Sequence, residues 1–151
     1  MEKKIIIAGG VIALIVGVVF FQTPREVKGE MTVYMAEDCQ CCDVYANIMS
    51  RDYDVEKEVL SNIEYGELKM DWGIPQDLAS CHTSVIDDYL VEGHVPMEAI
   101  EELREKGGDI EGIGMSGMPA GSPGMGGAKT EDFRVYEIPE KNEKGDLFME
   151  I

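Results

Sequence analysis

The run Cys39-Gln40-Cys41-Cys42 constrains this chain more than any other stretch. Three of its four cysteines fall within four residues, and the fourth, Cys81, stands directly before His82. Upstream, Met31–Ala36 is rich in strand formers and short enough for a buried strand, and Glu37-Asp38 breaks it. Downstream, Val44, Tyr45, Ile48 and Met49 recur at helical spacing in a segment running to about Tyr53. The cysteines therefore belong to a strand-to-helix turn, at a helix N-terminus. Free N–H groups and the positive end of the helix dipole favour thiolate there. Glu37 and Asp38 oppose it by like-charge repulsion.

Two chemistries compete for such a turn. Cys39 and Cys42 form a C-x-x-C pair, the spacing of a redox dithiol, and both would face one side of the helix start. Cys41 is rotated from Cys42 by about 100° if both are helical. Alternatively, three thiolates and a distant fourth form a soft-metal cage. About 125 residues remain beyond the N-terminal apolar segment, enough to bury a core without disulfides. That favours chemistry over stapling, and three cysteines in four positions disfavour a purely structural bridge. A bond between adjacent Cys41 and Cys42 would be strained.

The N-terminal segment has its own logic. Lys3 and Lys4 precede Ile5–Phe21, seventeen residues without a charge. This length lies at the lower edge for a membrane-spanning helix, and Phe20-Phe21-Gln22-Thr23-Pro24 offers no small-residue cleavage site. The expectation is an uncleaved membrane anchor over residues 1–22, a linker over 23–30, and a domain over 31–151. The lysines favour a cytoplasmic N-terminus with the domain on the extracytoplasmic side, at the cell surface or in the periplasm. Arg25 and Lys28 weaken that signal.

Along the domain, Asp54–Leu60 alternates as a second strand and Asn62–Trp72 is weakly helical, closed by Gly73-Ile74-Pro75. Thr83–Ile86 and Tyr89–Glu92 read as a hairpin around Asp87-Asp88. A helix runs from Pro96 to Lys106 and ends at Gly107-Gly108. Gly112–Gly127 reads as a loop throughout, and Phe133–Ile138 and Leu147–Ile151 as strands. The predicted class is α/β, with the order β-α-β-α-β-β-α plus extra C-terminal strands. With its cysteine turn after the first strand, this outline is thioredoxin-like.

That layout would bring Cys81, and with it His82, beside the cysteine turn. His94 falls at a strand-to-helix junction and is a further candidate ligand, although a lone histidine is more often structural. Met115, Met118 and Met125 lie in the glycine-rich loop, with no period to bury them. Thioethers with thiolates select Cu(I). Met31, Met35, Met49 and Met70 fall in predicted elements and read as core. Zinc takes similar donors, but its structural sites usually carry two C-x-x-C knuckles and this chain has one. The net charge of −17 repels nucleic acid and anionic lipid headgroups.

Four blocks, taken together, resemble a known family. They are Cys39-x-Cys41-Cys42; Gly73-Ile74-Pro75 with Leu78-Ala79-Ser80-Cys81-His82-Thr83; Glu92-Gly93-His94-Val95-Pro96; and Gly117-Met118-Pro119-Ala120-Gly121-Ser122-Pro123-Gly124-Met125. In this order and spacing they resemble small metal-binding proteins long described only as a domain of unknown function, which include the CopG-like copper-resistance proteins. The resemblance spans about Thr32 to Tyr136. It implies a thioredoxin-like fold outside the cytoplasm, with copper held by Cys39, Cys41, Cys42 and Cys81. It further implies a role in copper tolerance, redox handling between Cu(I) and Cu(II), and copper transport or resistance proteins as partners. Gln40 stands where the family commonly has glycine, and an acidic pair precedes the cluster. A thiol–disulfide oxidoreductase using Cys39 and Cys42 is the rival reading, and a structural zinc domain that recruits a partner is a third.

Overall fold

The computed structural model describes residues 27–151. The apolar segment expected to anchor the chain lies outside them. Among the described residues, no helix is long and apolar enough to cross a membrane.

Ten elements follow in the order β1 (Glu30–Ala36), α1 (Gln40–Met49), β2 (Asp54–Leu60), α2 (Asn62–Trp72), β3 (His82–Ile86), β4 (Tyr89–Glu92), α3 (Met97–Lys106), β5 (Gly112–Gly114), β6 (Arg134–Ile138) and β7 (Leu147–Glu150). They make a mixed α/β fold on one seven-stranded sheet, ordered β2-β1-β3-β4-β5-β6-β7. β1 runs parallel to β2, and β4 parallel to β5. The remaining neighbours pair antiparallel.

Alternation along the strands divides the core between the two faces of the sheet. Met31, Val33, Met35, Val91, Ile113 and Val135 point into the main core, where α1 and α3 lie. α1 buries Cys42, Tyr45, Ala46 and Met49, one stripe at helical spacing, and α3 buries Ala99, Ile100 and Leu103. Each fully buried large apolar side chain contributes about 1.5–3 kcal/mol by leaving water. On the opposite face, Ile74, Leu78, Leu90 and Ile138 form a smaller cluster. α2 rests there, with Trp72 edge-on to Tyr34 at 4.9 Å between ring centroids. Ser61 caps α2 reciprocally with Glu64, and Gly73 ends it in the left-handed region.

The β3–β4 hairpin turns without glycine. Asp87 and Asp88 both take left-handed φ, 47° and 70°, the geometry a two-residue hairpin turn demands and one that aspartate tolerates. Arg104 on α3 grips the Asp87 carboxylate and fixes the turn.

Several expectations are corrected. Gly112–Gly114 is a strand, not the start of a loop, and it pairs with both β4 and β6. Glycine suits the position because a Cβ at Gly112 would run into the Leu90 carbonyl. Met70 lies on the outer surface of α2 and is 72% exposed, rather than core. Val44 is likewise exposed, one position off the buried stripe of α1. Met115, expected in an open loop, is fully buried in the main core just after β5.

Candidate metal centre

The turn after β1 carries the cysteines as the spacing predicts. Cys39 is the N-cap of α1, and its side chain makes no capping hydrogen bond. Cys41 and Cys42 follow in the first turn. Cys42 points into the core and is fully buried, whereas Cys39 and Cys41 are half-buried. Cys81 arrives from the segment just before β3, placed beside the turn by the antiparallel pairing of β1 with β3. Its Sγ lies 3.7 Å from that of Cys41, which in turn lies 3.5 Å from that of Cys39. All four sulfurs fall within 4.8 Å of one another. Alongside them opens a shallow cleft of about 630 Å³, lined in part by Asp38, Asn62 and Tyr65.

Cys39 and Cys42 are joined as a disulfide, while Cys41 and Cys81 are free thiols. The bridge joins the C-x-x-C pair that the redox reading singled out, although three cysteines in four positions had disfavoured a purely structural bridge. The C-x-x-C spacing at a helix start brings the two Cα atoms to 5.4 Å, inside the range a disulfide requires.

Two imidazoles complete a second group of donors, Cys81 with His82 and His94. His94 Nε2 lies 3.3 Å from Cys81 Sγ, and its Nδ1 lies 2.7 Å from the Pro123 carbonyl oxygen. A carbonyl can only accept, so Nδ1 carries the proton and Nε2 presents its lone pair to the sulfur. This is how a protein orients a histidine that binds metal, with the far nitrogen donating to a carbonyl. His82 Nδ1 lies 3.5 Å from the same sulfur, and its buried Nε2 has no partner. Tyr45 packs against the His82 ring, 4.2 Å between centroids, and its hydroxyl donates to the Val95 carbonyl.

Burial tunes these groups in the metal-free protein. It pushes the Cys81 thiol up to about 11, reinforced by the neighbouring Cys41 sulfur. Burial, then His94 and Lys69, push His82 down to about 3. His94 is lowered chiefly by burial. All three shifts disfavour charge in a site of low polarity, and a cation would reverse that logic for the thiols.

The methionines separate. Met118 is 53% exposed, Met125 is partly buried, and Met115 belongs to the core. The loop reaches the site through its backbone instead. Pro123 holds His94, and Gly124 packs against α1 so closely that a Cβ there would lie 2.9 Å from the Cys41 carbonyl oxygen. Gly124 has φ +84°, a conformation glycine adopts without strain.

Sequence reasoning missed a further part of the site. Glu92, fully buried at the end of β4, accepts from Lys69 Nζ, the Ser80 N–H and the Thr83 hydroxyl. The available signal was a carboxylate ending the apolar strand Tyr89-Leu90-Val91.

Four sulfurs and two imidazoles converge at one end of a mixed α/β sheet, a cluster able to hold a metal ion, with the donor types that soft metals select. The chain belongs to the family of the copper resistance protein CopG. Two solved forms of that protein match it at 31% identity, with TM-scores of 0.70 and 0.71. Each match covers 81% of this chain, and 96% or 97% of the other. A family described as "Protein of unknown function, DUF411" matches residues 78–125, from Leu78 through the glycine-rich loop. No curated protein matches.

Proposed function

We propose that this protein binds Cu(I) through Cys39, Cys41, Cys42 and Cys81, and serves copper tolerance by holding copper or handling its redox state. The convergence of four sulfurs within 4.8 Å carries the reading. Thiolate ligands select Cu(I), and sulfurs this close can bridge more than one ion. His94, its lone pair already aimed at Cys81, and His82 act as auxiliary ligands. Met118 and Met125 lie in the loop that crosses the site and are candidates to close over the metal. Met115 is buried in the core and is the weakest of the three methionine candidates. The similarity to proteins titled copper resistance favours copper over zinc.

The fold is read as thioredoxin-like. Parallel β1 and β2 joined by α1, the β3–β4 hairpin, and a C-x-x-C pair at the start of α1 support this. The uncharged stretch Ile5–Phe21 behind Lys3-Lys4 supports a membrane tether with the domain on the extracytoplasmic side. Copper transport or resistance proteins are the partners such a placement suits.

Anaerobic titration of the reduced protein with Cu(I) against a chelator tests the proposal. The account requires tight uptake that is lost in the quadruple Cys→Ser variant. Equal uptake by that variant overturns it, and a preference for one zinc ion with no copper uptake would select the structural zinc reading.

The Cys39–Cys42 disulfide favours one other reading, a thiol–disulfide oxidoreductase. One thiolate would attack a substrate disulfide and the other would resolve the mixed disulfide, with no metal. Disulfide reduction by metal-free protein, abolished by Cys39→Ser alone, would support it. Cys41 and Cys81 count against it, because free thiols beside a working dithiol invite mispairing.

A further inference from the structure

We propose that Glu92, together with Lys69, is a positioning residue that sets where the Cys81 sulfur stands. The proposal deepens the Cu(I) reading and rests on it.

A buried carboxylate is costly unless it is paired and hydrogen-bonded. Glu92 is completely buried, and its oxygens are all engaged. Oε1 accepts from Lys69 Nζ at 2.5 Å and from the Ser80 N–H, and Oε2 accepts from the Thr83 hydroxyl. Lys69 also donates to the Ser80 carbonyl. Both backbone polar groups of Ser80 are thereby held by two side chains, at a point where the chain has not yet entered the β3 ladder. Ser80 immediately precedes Cys81, and Thr83 lies two residues beyond it. One carboxylate thus grips the chain on both sides of the cysteine.

The same carboxylate belongs to the strand that delivers His94. Glu92 ends β4, opposite Thr83 in the ladder, and the Gly93 N–H donates to the His82 carbonyl. A Cβ on Gly93 would lie 3.0 Å from the Ser80 side chain, so the clamp and the His94 turn are in direct contact. Cys81 just precedes β3 and His94 just follows β4, and Glu92 ties their backbones together. A buried ion pair is a weak source of net stability, because an apolar replacement of similar shape often folds as well. Its contribution here is a fixed geometry for Ser80-Cys81-His82.

The test is a double-mutant cycle on Cu(I) affinity with the full chain, using Glu92→Gln, Cys81→Ser and the two combined. Orienting groups behind metal ligands typically change affinity by 10–100-fold, so Glu92→Gln is expected to weaken binding by about tenfold or more. In the Cys81→Ser background it should change affinity by less than about twofold, because the residue it positions is gone. An equal loss in both backgrounds, or no loss in the parent, overturns the proposal. Lys69→Met, which releases the Ser80 carbonyl and lies at the edge of the network, is carried through the same cycle in case Glu92→Gln does not fold. A metal-independent measurement separates this idea from the copper reading: the alkylation rate of each thiol in the reduced, metal-free protein. Loosening the clamp should change the Cys81 rate severalfold and leave Cys39 unchanged. Unchanged Cys81 alkylation contradicts the clamp whatever the protein binds, whereas a parent that takes up no Cu(I) contradicts the copper reading alone.

Discussion

The sulfur of Cys81 lies 3.3 Å from Nε2 of His94. Through this pair the four-sulfur group and the imidazole group share one atom. Cys81 also stands 3.7 Å from Cys41, one of the two free thiols. Replacing Cys81 therefore opens both groups, whereas replacing Cys39 opens one. Cys81→Ser should lower Cu(I) affinity by more than about tenfold, and by more than Cys39→Ser does. Competition titrations of the two single variants check this order.

The histidines make the metal-free protein sensitive to mild acid. His82 is held neutral, its value pushed from 6.5 down to about 3, mainly by burial. Below pH 6.5 the unfolded chain binds a proton that the folded chain refuses, so stability rises with pH through this window. The His82 contribution is complete above about pH 6.5 and falls by about 1.4 kcal/mol per pH unit beneath it. Urea unfolding of the metal-free protein between pH 5 and 7, alongside His82→Asn, isolates the term. The parent should lose stability more steeply than the variant.

The loop that holds His94 depends on a backbone only glycine adopts easily. Gly124→Ala places a Cβ 2.9 Å from the Cys41 carbonyl oxygen at φ +84°. The change should destabilise the fold by about 1–3 kcal/mol. Nothing lies within 4 Å of a Cβ at Gly126, so Gly126→Ala should fall within about 0.5 kcal/mol of the parent. Denaturant midpoints of the two variants make the comparison.

The methionines offer a contrast between core and surface. Met49 is fully buried in α1, and Met70 is 72% exposed on α2. Met49→Ala should cost about 2–5 kcal/mol and Met70→Ala less than about 0.5 kcal/mol. Thermal unfolding distinguishes them.

Much of the fold is legible in the chain because its elements carry strong local signals. Asp54–Leu60 and the weakly helical Asn62–Trp72 begin and end where alternation and Gly73 place them, and the structure adds the reciprocal Ser61–Glu64 cap. The cysteine turn was equally readable, since an apolar strand, an acidic break and a helical stripe flank it. Gly112–Gly114 was not, because its strand character comes from neighbours on both sides rather than from its own side chains. Met70 misled because an apolar residue in a helix reads as core until the facing layer is known. In the site, the arrival of Cys81 followed from topology, but Lys69, Glu92 and the Pro123 carbonyl did not. Lys69 and Glu92 stand 23 residues apart and meet only through long-range packing.

The central claim is that the cysteine sulfurs are the copper ligands. X-ray absorption at the copper edge, on anaerobically loaded protein, tests it most directly. The account predicts a Cu(I) edge with a nearest shell dominated by sulfur, that shell collapsing in the quadruple Cys→Ser variant. A shell of nitrogen and oxygen alone in the parent, unchanged in the variant, would contradict it.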